Sequence, residues 1–374
     1  QYRRSLTLLE RLPPAEQSRP QVLAIKCADE IGLGRTVDAN RALKLLLDSP
    51  DAVEADITTV QQASAAHKRP ALELAALTKL VAMYSASYAQ LLRLAAIYEG
   101  LGRLPEARTT LESAARLGPV SAPLLLGLAQ VAYKQQDRAG ALGYLAHARE
   151  IDPKNGAIHF FFGIVCVEMD LPIEAEKSLA AAVQADPENA YYNYAMGAVT
   201  IQSRKWAEAI PYFEKYARLK PADPRGKLAI GIAHFYAHEE DVARKELEEV
   251  RDRPETSATA HLYLGKIATR ENDLIRAEGE LKRCLELNST NAEAWAELGF
   301  VLVEAERYAD AEKALTRSLH SNPDNLRANL ALLALYQRTG DNRAEAQAAR
   351  VEAAKKKRTE ESNVLLRTLE IRPY

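Results

Sequence analysis

Prolines stand at Pro119, Pro153, Pro187 and Pro221, each 34 residues after the one before, and Pro323 follows at three further steps of 34. A chain that repeats itself at a fixed interval stacks small units along a line and does not gather around one globular core, so this period constrains the fold more than length does. Two further series keep the same step. Small residues recur at Ala95, Ala129, Gly163, Gly197, Gly231, Gly265 and Gly299, and again at Ala107, Ala141, Ala175, Ala209, Ala243, Ala277 and Ala311. Length alone would suggest two or three globular domains for 374 residues, and the period overrides that expectation.

The spacing has a physical reading as a pair of antiparallel helices. Small residues in the middle of one helix and near the start of the next let the two backbones approach closely, while Leu, Phe or Tyr at the intervening positions fill the seam. Proline ends the second helix, because the residue before it (Asp152, Asp186 or Asn322) is biased away from helical angles and the ring lacks an amide donor. One pair alone leaves an apolar face in water; burying each large apolar side chain contributes roughly 1.5–3 kcal/mol, so neighbouring pairs must stack to gain it. The composition agrees: 47% hydrophobic but only 6% aromatic, with 27% charged residues and much Ala, Leu, Glu, Lys and Arg, the strong helix formers.

The clearest copy of the pattern reads Trp295, Leu298, Gly299, Leu302, Ala311, Leu315 and Pro323, with Ser318 at the remaining small position. This order resembles the tetratricopeptide repeat: a bulky residue, a Leu-Gly pair, then Tyr, Ala, Phe, Ala and Pro. The resemblance implies an all-α, right-handed superhelix of about ten helix-turn-helix units. In this phase the units begin near Pro20, Glu54, Tyr88, Ala122, Gly156, Ala190, Pro224, Ala258, Ala292 and Leu326. Residues 1–19 are expected to hold a half-repeat helix, 20–359 the ten units, and 360–374 a capping or extended helix whose stripe Val364, Leu365, Leu366 and Leu369 needs a partner. The second unit carries Gln61 and Glu73, and the tenth Leu333 and Glu345, where small residues belong, so distortion is expected in the second and a slight opening in the tenth.

Little else in the chain points to chemistry. His234 and His238 lie four apart beside Glu239, a spacing that on one helical face would suit zinc, but no third ligand stands in phase and the pair is read as packing and turn residues. Gly32, Leu33 and Gly34 lack the third glycine, the Lys-Ser and the preceding strand of a phosphate loop. Asn288, Ser289 and Thr290 form a glycosylation sequon at an inter-repeat turn. Cys27, Cys166 and Cys284 are far apart and odd in number, which argues against a disulfide framework. No catalytic constellation stands apart from the repeat, so no enzyme, catalytic residue, metal or cofactor is expected. A net charge of −2 gives no general pull toward nucleic acid, and the basic run Lys355, Lys356, Lys357 and Arg358 reads as a solvated helix surface. No apolar run is long enough to insert in a membrane, and a soluble protein of the cytoplasm or periplasm is expected.

The resemblance also implies where a partner sits: the second, fifth, ninth, twelfth and thirteenth positions of each unit line a concave groove. On this sequence they give an apolar and aromatic band, Phe160, Ile164 and Val167, then Tyr191, Tyr194 and Ile201, then Leu228, Ile232, Phe235 and Tyr236. Arg225, Lys266, Arg270, Arg327 and Arg338 fall on the same surface and add a basic lining, interrupted by Glu293 and Glu304. The expected function is a scaffold that binds a peptide or protein segment there, apolar anchors on the band and acidic groups toward Lys266 and Arg270. The same band is equally readable as filling for a tightly wound groove. Two alternatives are the recruiting arm of an enzyme whose catalytic domain lies elsewhere, and a peptide sensor. The Lys and Asn pair by which heat-shock co-chaperones hold a terminal Asp occurs in no unit, nor does any unit carry the sixth-position Asn of the O-linked N-acetylglucosamine transferase superhelix.

Overall fold

A computed structural model of the chain describes residues 1–84 and 86–356, and every regular element among them is a helix. The stripe from Val364 to Leu369 lies outside the described residues. Two compact units divide at Pro153. The first holds α1 (Tyr2–Leu9), α2 (Pro14–Gln17), α3 (Pro20–Gly32), α4 (Thr36–Asp48), α5 (Glu54–Ala66), α6 (Pro70–Met83), α7 (Tyr88–Gly100), α8 (Leu104–Leu117), α9 (Ala122–Lys134) and α10 (Arg138–Ile151). The second holds α11 (Gly156–Glu168), α12 (Pro172–Ala185), α13 (Ala190–Gln202), α14 (Trp206–Leu219), α15 (Arg225–Tyr236), α16 (Glu240–Glu248), α17 (Ser257–Arg270), α18 (Leu274–Leu287), α19 (Ala292–Glu304), α20 (Tyr308–Ser321), α21 (Leu326–Thr339) and α22 (Ala344–Lys356).

From α3 onward the odd-numbered first helices and even-numbered second helices alternate, and within each unit every first helix packs on the second helix that follows it. Each unit is therefore an all-α solenoid. The crossing points depend on missing side-chain atoms. A Cβ added to Gly163, Gly231 or Gly265 would fall 2.7–2.8 Å from Cγ of Leu179, Leu247 or Leu281 on the facing helix, well inside van der Waals contact. Ala175, Ala209, Ala243, Ala277 and Ala311 are fully buried on the other side of the same seams.

The turn inside each pair is equally regular. Gly34, Lys68, Gly102, Gln136, Asp170, Arg204, His238, Asn272, Glu306 and Gly340 all have φ between 52° and 75°, so a left-handed residue recurs every 34 positions through the described chain. One residue later, a backbone N–H donates to the carbonyl five positions back, as from Arg103 to Tyr98 at 2.8 Å and from Arg307 to Leu302 at 2.9 Å. This 6→1 bond satisfies a carbonyl that the helix end would leave orphaned. At the other end of the first helices, Ser87, Ser121, Asn155, Asn189, Asn291 and Asn325 accept from N–H groups of the first turn.

The large polar residues at the seam of the second helix pair bond to one another and to the next first helix. Gln61 Nε2 donates to Glu73 Oε1 at 3.1 Å, and Arg93 of the next first helix makes a bidentate pair with the same carboxylate, both bonds 2.7 Å long. Glu73 is buried at this seam, and a carboxylate there is tolerable because three donors satisfy it.

Candidate functional site

The close crossings bring successive first helices of the second unit into direct contact, and this decides which of the expected binding residues reach solvent. Tyr194 packs against Phe213 and Tyr216 of α14, ring centroids 5.3 and 4.9 Å apart. Phe160 of α11 meets Tyr192 of α13 at 5.0 Å, and Phe235 of α15 meets Tyr263 of α17 at 5.2 Å. Consequently Phe160, Ile164, Val167, Tyr194, Ile201, Leu228, Ile232 and Phe235 are each 6% exposed or less. Most of the expected aromatic band is thus core between helices and not open surface. Tyr191 remains 45% exposed, beneath the Lys220 ammonium 5.5 Å from its ring, and Tyr236 is half-buried, stacked on Trp206 at 4.8 Å.

One cavity that stays open, of about 550 Å³, is built from four consecutive first helices. Phe235 and Tyr236 come from α15, Lys266, Thr269 and Arg270 from α17, Glu297 and Phe300 from α19, and Leu326, Arg327 and Leu330 from α21. Five of the expected residues, Phe235, Tyr236, Lys266, Arg270 and Arg327, meet here, whereas those on α11 and α13, and Arg225, Leu228, Ile232 and Arg338, do not line it. Thr269, Phe300 and Leu330 occupy the twelfth, ninth and fifth positions of their units, so the positional rule reaches them when carried to the later repeats. Leu326 and Glu297, at the first and sixth positions, lie outside that rule.

The expected basic lining is neutralised from within. Lys266 Nζ pairs with Glu293, Arg270 with Glu240 at 3.0 Å, Arg327 with Glu297 at 3.1 Å, and Arg338 with Glu304 at 2.8 Å. Arg225 is bound to Asp223, its shortest contact 2.6 Å. Burial alone would push the Lys266 ammonium down, but the carboxylates of Glu293 and Glu297 and the Tyr236 phenol outweigh it and hold it above the ordinary lysine value. It is therefore a fixed positive charge, only 11% exposed. The same cations cover the rings: Arg270 lies 3.7 Å from the Phe235 centroid, Arg327 3.6 Å from that of Phe300, and Lys266 4.9 Å from that of Tyr263. Arg270 Nη1 also donates to the Phe235 carbonyl at 2.9 Å, and Arg338 Nη1 repeats the bond to Val303 at 3.2 Å. Each guanidinium thereby caps the end of an earlier first helix.

The histidine pair and the cysteines do not line this cavity. His234 Nδ1 lies 2.5 Å from Glu239 Oε2. His238 falls in the left-handed turn beyond the end of α15, 77% exposed at its side chain, so helical four-residue spacing does not bring the two imidazoles together. Cys27, Cys166 and Cys284 are buried, and burial pushes the Cys27 and Cys284 thiols up to about 12, which removes thiolate reactivity. Among the described residues no helix is long and apolar enough to cross a membrane.

Models of the tetratricopeptide repeat match residues 92–156, 132–199 and 268–336. Over those residues the chain carries tetratricopeptide repeats. Proteins of this family generally mediate protein–protein interactions. Among curated proteins it is similar to the peroxisomal targeting signal receptor of Saccharomyces cerevisiae, 27% identical over 244 residues; the match covers 63% of this chain and spans 35% of that relative's length. Among solved structures it is similar to a tetratricopeptide repeat protein from Parabacteroides merdae, with a TM-score of 0.56 and 16% identity over 66% of this chain and 98% of that one. It is also similar to the APC/C hetero-tetramer Cut9-Hcn1, with a TM-score of 0.53 and 15% identity over 90% of this chain and 67% of that one. At such identities these structures establish the shared repeat fold alone.

Proposed function

We propose that this tetratricopeptide-repeat chain is a non-enzymatic scaffold that holds a peptide or protein segment against the first helices of its second unit. The observation that carries this reading is the cavity of about 550 Å³, to which four successive repeats each contribute side chains. Its size lies within the roughly 300–1,000 Å³ of ordinary ligand sites. A polypeptide running across the first helices meets one repeat after another, which suits a lining shared in this way. The likeness to a receptor for a peroxisomal targeting signal supports a short segment as the ligand.

Leu330 is the natural probe, because it lines the cavity and is 42% exposed, so replacing it disturbs little packing. Leu330→Glu should remove captured partners in a pull-down read by mass spectrometry while circular dichroism stays unchanged. Ile275→Glu, at an 88% exposed position on a second helix, should leave capture intact. Capture undiminished by Leu330→Glu would refute the placement of the ligand.

A further inference from the structure

We infer that this cavity selects an uncharged, apolar anchor on the bound segment and rejects an acidic one, so that binding is nearly independent of salt. The inference rests on the groove reading above and goes further in naming the ligand chemistry. Its basis is that every cation lining the cavity already has its own carboxylate.

Lys266, Arg270 and Arg327 are matched one to one by Glu293, Glu240 and Glu297. An incoming carboxylate would shed its water in a place whose positive field is cancelled, beside a Glu297 side chain only 11% exposed. It would have to displace a resident acid to gain a partner. An incoming cation meets the mirror-image difficulty, since each acid is held by a nearby base.

The same side chains present apolar surface to whatever enters. Arg270 and Arg327, which line the cavity, lie over the Phe235 and Phe300 rings at 3.7 and 3.6 Å, and a guanidinium is weakly hydrated. Leu326 and the 42% exposed Leu330 add an apolar wall from α21, and Tyr236 lines the same cavity from α15. A Leu, Ile, Met or Phe side chain buries against that wall without disturbing an ion pair. The occupant is therefore a segment of another protein carrying adjacent apolar residues.

The test titrates the full chain into fluorescein-labelled peptides that share a Gly-Ser background and differ at the centre: Leu-Phe-Leu, Asp-Glu-Asp or Ser-Gly-Ser. Anisotropy is read at roughly 50 and 500 mM NaCl, a range over which exposed charge attraction is strongly screened. The inference expects the apolar centre to bind at least about tenfold tighter than the acidic one, with less than about threefold change between the two salts. It also expects loss of that binding in Leu330→Glu and partial retention in Leu330→Ala. Tighter binding of the acidic peptide, lost in Leu330→Glu, would overturn the inference and leave the groove reading standing. Binding indifferent to Leu330→Glu, or no binding by any of the three, would overturn both. Self-association of the chain that disappears in Leu330→Glu would give the cavity to a second copy and overturn the inference.

Discussion

Gly265 and Gly279 belong to one helix pair and offer a matched test of what holds the solenoid together. A Cβ on Gly265, in α17, would stand 2.7 Å from Cγ and 2.9 Å from Cδ2 of Leu281, and Leu281 is fully buried. A Cβ on Gly279, in α18, meets nothing within 4 Å. Replacing glycine by alanine inside a helix contributes about 0.8–1 kcal/mol of stability through the unfolded chain and helix propensity. That term is common to both sites. Overpacking at the seam costs roughly 1–3 kcal/mol, so Gly279→Ala should stabilise by about 1 kcal/mol, while Gly265→Ala ranges from neutral to about 2 kcal/mol destabilising. The difference between the two variants isolates the seam. Urea unfolding followed by circular dichroism at 222 nm measures it, and hydrogen exchange of the α17 and α18 amides localises it. Equal stabilisation by both substitutions would refute the claim that the period exists to let backbones touch.

Two further outcomes follow from local geometry. Glu306 occupies a left-handed turn at φ 59°, a conformation that costs an L-residue roughly 1–2 kcal/mol; after glycine's larger entropy loss on folding, Glu306→Gly should stabilise by about 0.5–1 kcal/mol. The same change at Asn272, φ 61°, should gain less, because Asn tolerates this region, and melting temperatures that fall in both variants would contradict the turn geometry. Burial raises the Asp223 pKa, but bonds from Arg225 and Tyr216 outweigh it and hold the carboxyl below its ordinary value. Its stabilising contribution is therefore complete above the unfolded aspartate pKa near ~3.9 and is lost as pH falls through the lower folded value. The stability gap between wild type and Asp223→Asn should shrink as urea midpoints are taken from pH 7 to pH 3, and a constant gap would show that this carboxylate does not couple to folding.

The repeat was legible because its determinants are local and phase-locked. Gly163, Gly231 and Gly265 each face a Leu sixteen residues later in the same pair, so a single-sequence period reads the contact directly. The left-handed turns were less visible, because only Gly34, Gly102 and Gly340 among the ten are glycines. In the other seven the 6→1 hydrogen bond and the helix ends impose the conformation on Lys, Gln, Asp, Arg, His, Asn and Glu alike. What satisfies Glu73 was not legible for a related reason: its donors lie twelve residues back, in Gln61, and twenty residues on, in Arg93.

Exposure of the first-helix face was not legible from phase, because it depends on what the next repeat places opposite. Fifth-position Leu228 and Leu262 are 0% and 2% exposed, yet Leu330, the same residue in the same phase, is 42% exposed. Leu228 and Leu262 lie on first helices with described first helices on both sides, while α21 is the last first helix among the described residues. Charge is different, since its partners also recur near the period. Lys266 and Glu293, Arg244 and Glu271, and Lys215 and Glu188 are all 27 residues apart. Arg327 and Glu297, like Arg270 and Glu240, are 30 apart. Once a 34-residue step is recognised, an acid 27 to 30 positions away is a neighbour in space. A basic residue on this face must then be weighed against that acid before it is counted as free to attract a ligand.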